Sequence, residues 1–235
     1  MSFDMAAYGI VFENQNGDAN GITPIMAPKV PPNGMPGSSE HSTQARPPVP
    51  TDILDALRAA TGPLHSEVDR CLPLARPSPS LADYRNHLRL LDAWMRRLAA
   101  FEPGPPPLDA HRRQLADDLR LCDALLPAEP SPHEAGTDPG TVRRDAAFVW
   151  GLAYVLEGSR LGGRVLYRQL AERLAPHPLN YLQGAGEQTG AQWKGFIAEL
   201  RAQSFTPEAV RSACDGAVHA FDSLLQCHRS AEALA

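Results

Sequence analysis

Long apolar runs are missing from this 235-residue chain. No window of about 18 apolar residues occurs, so no segment has the length that a membrane-spanning helix needs. The amino terminus lacks a basic start followed by an apolar stretch, so no secretory leader is expected. Cysteine is scarce: Cys71, Cys122, Cys214 and Cys227 stand far apart with no Cys-x-x-Cys pair. That pattern fits buried free thiols in a reducing compartment better than a disulfide framework, and a cytoplasmic location is the expectation. An excess of basic residues is missing too. The net charge of −5 and the pI near 5.9 argue against a nucleic-acid binder. There is no His-Glu-x-x-His, no Gly-x-Ser-x-Gly, no Walker loop and no repeated Glu-x-x-His of the kind a di-iron bundle needs. The stretch Gly184-Ala-Gly-Glu-Gln-Thr-Gly190 has no strand before it and no βαβ unit around it, so it reads as a turn into a helix and not as a dinucleotide loop. Cys214, His219, Cys227 and His228 are spaced so that their side chains do not share one helix face, which argues against zinc.

Aromatic residues make up only 6% of the chain, whereas Ala, Leu and Arg are plentiful, which favours helices. The length and the 43% apolar content allow one sizeable core, or a core plus a tail. Residues 1–50 differ from the rest. Pro31-Pro32, Pro36-Gly37 and Pro47-Pro48 break any regular period, and only Tyr8 to Phe12 has strand character. Such a segment cannot bury enough surface to offset its ordering entropy, so a disordered Pro/Gly-rich tail is expected over 1–50 and a helical domain over 51–230. Within the domain, apolar residues recur at helical spacing over about 52–72, with a kink or restart at Gly62-Pro63, and then over 81–102, 109–126, 141–174, 191–201 and from 207 to about 228. A second loop, carrying His133, separates the third and fourth of these. The expected class is all-α, a single-domain bundle of about seven helices with almost no strand.

The stretch from Trp150 to Arg168 organises the rest. Its apolar positions keep a helical period, yet Gly158, Gly162 and Gly163 interrupt it. Each interior glycine costs about 1 kcal/mol against alanine, so something must approach this backbone closely: either a neighbouring helix or a ligand. On the first helix, His65 and Asp69 lie four residues apart and share a face. A carboxylate there can accept the Nδ1 proton and leave Nε2 free to bind a metal, although such a pair can equally be a surface pair. Arg58 lies two helical turns before His65. A histidine ligand on one helix and a bare face on another would sandwich a planar metallo-cofactor, and haem fits that gap.

Three blocks carry a family resemblance. Leu57-Arg-Ala-Ala-Thr-Gly-Pro-Leu-His-Ser-Glu-Val-Asp69 resembles the proximal helix of bacterial haem oxygenases. Tyr154-Val-Leu-Glu-Gly-Ser-Arg-Leu-Gly-Gly-Arg-Val-Leu166 resembles their distal helix, and Thr189-Gly-Ala-Gln-Trp-Lys-Gly-Phe196 resembles a later segment of theirs. The resemblance extends over about residues 52–228 and is nearest to the oxygenases paired with bacterial phytochromes. It implies a haem-oxygenase-like bundle in which His65 is the axial iron ligand and Asp69 steers it. Arg58 and Tyr154 would hold haem propionates, with Gly158 and Gly162 over the iron-bound oxygen and Gly163 following. Ser159 stands where the animal enzymes carry an aspartate that organises distal water, as it does in bacterial relatives.

The implied activity is oxidation of haem, both substrate and cofactor, to biliverdin, carbon monoxide and ferrous iron. A neutral histidine ligand leaves the iron able to bind O₂. The chain has no reductase motif, so a ferredoxin-like or flavin reductase would supply electrons, and a phytochrome would be a candidate acceptor of biliverdin. The rival reading is a non-catalytic haem-binding protein that stores or senses haem. Should His65 not be the ligand, His87 and His219 are the alternatives. One expectation concerns the tail alone: a chain beginning at Thr51 should bind haem within about tenfold of the full chain, roughly 1.4 kcal/mol. A larger loss by titration would show that residues 1–50 contribute to binding.

Overall fold

The computed structural model describes residues 52–128 and 141–233. The expected tail over 1–50, His133, and most of the loop that carries it lie outside these residues. Among the described residues seven α-helices follow one another: α1 Ile53–Cys71, α2 Leu81–Leu98, α3 Leu108–Leu125, α4 Ala146–Leu170, α5 Asn180–Gln183, α6 Thr189–Ala202 and α7 Pro207–Glu232. The all-α expectation holds for the described residues. None of their helices is long and apolar enough to cross a membrane.

Local chemistry sets the helix starts. The Asp52 carboxylate accepts the Leu54 N–H at 2.9 Å and is itself gripped by Arg201 of α6 at 2.7 Å, so the cap of α1 also ties two helices together. Ser80 and Asp83 form a reciprocal capping box on α2. Asp145 caps α4 through the Phe148 N–H and accepts the Ser212 hydroxyl of α7 at 2.7 Å. Thr206 caps α7, with Pro207 in its first turn.

Three details differ from the sequence expectation. First, α1 runs unbroken through Gly62-Pro63 and does not restart there. Second, α2 stops at Leu98 and α4 begins only at Ala146, because Phe101–Glu102 (β1) and Val142–Arg143 (β2) pair as a short parallel ladder. The Val142 N–H donates to the Ala100 carbonyl at 2.7 Å, so backbone groups expected to serve helix ends serve a non-local pairing. Third, the four-residue α5 has no helical period to announce it. Leu179, just before it, has φ 53° and is fully buried. A left-handed non-glycine residue costs about 1–2 kcal/mol, which burying a leucine, worth about 1.5–3 kcal/mol, offsets.

α4 and α7 cross at the centre of the core. A Cβ on Gly151 would lie 1.9 Å from the Ala213 carbonyl oxygen, and one on Gly216 would lie 2.1 Å from that of Phe148. The two backbones therefore touch, each through the other's glycine. Up to Glu157, α4 is almost wholly buried; from Gly158 to Tyr167 it is half-exposed. That change marks where α4 stops being core and begins to wall a cavity.

Candidate functional site

The first helix presents Arg58, Thr61, Gly62, His65 and Asp69 to one side, at the spacing of a single helical stripe. α4 does the same with Tyr154, Gly158, Ser159, Gly162 and Gly163. Both stripes line one cavity of about 400 Å³, within the range of small-molecule sites. All eight residues singled out in the sequence (Arg58, His65, Asp69, Tyr154, Gly158, Ser159, Gly162 and Gly163) are among its walls. Apolar side chains of α1, α2, α4 and α7, including Val68, Leu91, Leu166 and Leu224, complete it.

His65 is half-buried, with its ring edge-on to Phe221 of α7 at 4.5 Å between centroids. Burial pushes its pKa below the usual histidine value, so the imidazole is neutral near pH 7, the form that binds a metal. At the Arg58–Tyr154 side, burial raises the Tyr154 phenol far above its usual range and the positive charge of Arg58 partly opposes that rise. The two side chains, one on α1 and one on α4, are thus electrostatic neighbours at one side of the cavity. The Ser159 hydroxyl donates to the Leu156 carbonyl of its own helix at 2.7 Å. Its proton is committed, and toward the cavity it can only accept.

The glycines divide by role. A Cβ at Gly158 would find only Trp193, at 3.8 Å, and one at Gly163 would meet Leu182 at 3.6 Å or beyond. Both are ordinary contacts. Neither presses on a neighbouring helix as Gly151 does, one turn before Tyr154, against α7. Trp193 of the Thr189–Phe196 block lies 5.7 Å from both Tyr154 and Phe196, so that block braces α4 at the start of its glycine run.

Sequence reasoning did not assign cavity positions to Trp94, Tyr181, Leu182 or Phe221, and it treated His87 only as a substitute ligand. His87, Leu91 and Trp94 of α2 line the cavity at helical spacing; a histidine within that apolar stripe was the available signal. Tyr181 and Leu182 had no signal, because α5 is held by distant groups. The Asp118 carboxylate accepts the Tyr181 N–H at 2.8 Å and the Tyr84 hydroxyl at 2.6 Å, and the Gln114 amide donates to the Asn180 carbonyl at 3.0 Å. His219 is not in the cavity wall; it packs between the rings of Phe101 and Phe148.

This helical bundle has a counterpart among solved structures. The haem oxygenase of Neisseria meningitidis, solved with NO and CO bound, superposes with a TM-score of 0.55 at 20% identity, over 79% of this chain and 94% of that one. The fold is that of a bacterial haem oxygenase. A protein of Xanthomonas campestris pv. campestris (strain 8004) named haem oxygenase is 39% identical over 119 residues, which are 48% of this chain and 64% of the relative. The chain therefore matches somewhat under two thirds of that haem oxygenase's length. No family model matches the chain.

Proposed function

We propose that the chain is a haem oxygenase, which cleaves haem oxidatively to biliverdin, carbon monoxide and ferrous iron with O₂ and electrons from an external donor. The observation that carries this reading is the convergence of a neutral histidine, an arginine–tyrosine pair and a glycine-bearing helix face on one mainly apolar cavity. These residues fit haem: a nitrogen donor for iron, a cation for a propionate, apolar walls for the macrocycle and a wall low in side chains. Haem bound there would be the substrate and would also supply the iron that takes up O₂.

In this reading His65 holds the iron and Asp69, one turn on, orients the imidazole. The Arg58 guanidinium and the Tyr154 hydroxyl bind propionate oxygens, which fixes how the macrocycle is turned in the cavity. Gly158, Gly162 and Gly163 keep the opposing wall close and bare, so that backbone dipoles face the reacting side. Ser159 accepts a hydrogen bond at that wall. The apolar lining excludes bulk water and so strengthens each of these interactions. A ferredoxin-like or flavin reductase is the expected electron source, and a phytochrome the expected recipient of biliverdin.

Incubating the chain with haem and a reductant in air should produce the biliverdin absorption band. Gly162→Ala should keep haem affinity within a few-fold while biliverdin formation falls by about tenfold or more, roughly 1.4 kcal/mol of barrier. Formation at the parent rate would remove Gly162 from the reacting wall. Haem binding with no biliverdin from either form would favour a storage or sensing protein.

A further inference from the structure

Three polar groups around the cavity are committed to backbone carbonyls. The Thr61 hydroxyl donates to the Leu57 carbonyl, the Ser159 hydroxyl to the Leu156 carbonyl, and the Trp94 indole N–H to the Ala220 carbonyl at 2.8 Å. His87 differs. It is 4% exposed, it is one of the residues lining the cavity, and its buried Nδ1 has no hydrogen-bond partner among the described residues. Leaving a buried nitrogen unpaired costs about 1–3 kcal/mol, and native interiors rarely hold such a group without a use. The rest of the lining is largely apolar: Leu91 and Trp94 on its own helix, Leu72 just after α1, Leu166 from α4, Leu224 from α7. An apolar side chain would complete this stripe at no such cost. Burial also drives the His87 pKa down to about 4. The ring is therefore neutral at physiological pH and carries one N–H donor and one acceptor nitrogen.

We propose that His87 is a hydrogen-bonding residue of the cavity, which holds a water or small diatomic ligand beside the bound haem. The assignment rests on the reading of the cavity as a haem site and adds a residue to it. It gives the unpaired imidazole a partner that arrives only with the ligand. It also supplies from α2 the donor that Ser159, with its proton given to Leu156, cannot supply from α4. A neutral imidazole suits the task, since it can donate to the ligand and accept from water without placing a charge among apolar side chains. His87 would thus act on the ligand, while His65 holds the iron.

The test is infrared spectroscopy of the carbon monoxide complex of the haem-loaded, reduced full chain, with His87→Leu and His87→Gln beside the parent. Loss of a hydrogen-bond donor to the ligand should move the C–O stretch of His87→Leu to higher frequency, and His87→Gln, which keeps a donor, should return part of the shift. The apo form of His87→Leu should be at least as heat-stable as the parent, because it replaces an unpaired polar group with an apolar one. An unchanged C–O stretch in His87→Leu, with haem bound and its iron–histidine stretch intact, overturns the proposal. So does loss of the iron–histidine stretch in that variant, which would make His87 the ligand itself. Failure of the parent chain to bind haem, seen as no Soret band, would instead defeat the haem reading.

Discussion

His65→Ala should remove the nitrogen donor to iron, and the ferric absorption spectrum of the haem-loaded chain should change with it. The effect is large because nothing nearby is an equivalent substitute. His219 lies against the Phe101 and Phe148 rings outside the cavity, and His87 enters it from α2 and not from α1. Biliverdin formation should fall by more than the roughly 10–100-fold that loss of an outer partner costs a metal site. Added imidazole should restore the spectrum, since the cavity left by the side chain is open to the site. Asp69→Ala serves as the graded comparison. It should keep the ligand but lower the iron–histidine stretching frequency in resonance Raman, because a carboxylate partner raises the basicity of the imidazole. An unchanged spectrum in His65→Ala would transfer the ligand role to His87.

Gly151→Ala should destabilise the fold strongly, against the ordinary effect of that substitution in a helix. In an unobstructed helix interior, alanine is more stable than glycine by about 0.5–1 kcal/mol. Here the added carbon would lie 1.9 Å from the Ala213 carbonyl oxygen and 2.7 Å from the Ala217 nitrogen. Both are backbone atoms of α7 and cannot rotate away, so the whole helix must shift. Overpacking of this kind costs typically about 1–3 kcal/mol, and this contact is at the severe end. At about 2–4 °C per kcal/mol for a domain of this size, a 3 kcal/mol loss lowers the melting temperature by roughly 6–12 °C. Gly216→Ala should behave alike against the Phe148 carbonyl. Gly158→Ala is the internal control: its Cβ meets only Trp193 at 3.8 Å, so its melting temperature should hold or rise. Equal melting temperatures for Gly151→Ala and the parent would refute the close crossing of α4 and α7.

Much of the site was legible because helices translate spacing into position. Arg58, His65 and Asp69 recur at seven and four residues, and Tyr154, Gly158 and Gly162 at four, so each set occupies one face wherever its helix goes. That both faces meet in one cavity is a tertiary fact; the family resemblance anticipated it and the residue spacing alone did not. The glycines show the boundary well. Their clustering between 158 and 163 signalled a close approach, but a glycine's reason is invisible without its neighbour. Gly151, outside that cluster, is pressed against α7, and no feature of the sequence around it distinguished it from Gly158.

The sequence by itself determined the helical class and the composition of the two facing stripes. These depend on interactions within a few residues, whose geometry the backbone period imposes. Tertiary structure alone decided where α2 ends and α4 begins, since the pairing of Phe101–Glu102 with Val142–Arg143 competes for the same backbone groups across a long separation. It alone formed α5, through Asp118 and Gln114 of α3, and placed Tyr181 in the cavity wall. It alone also showed His87 buried and unpaired beside the site. Hydrogen bonding and burial between segments far apart in the chain are set by packing, and the local pattern of side chains carries no record of which distant group will arrive.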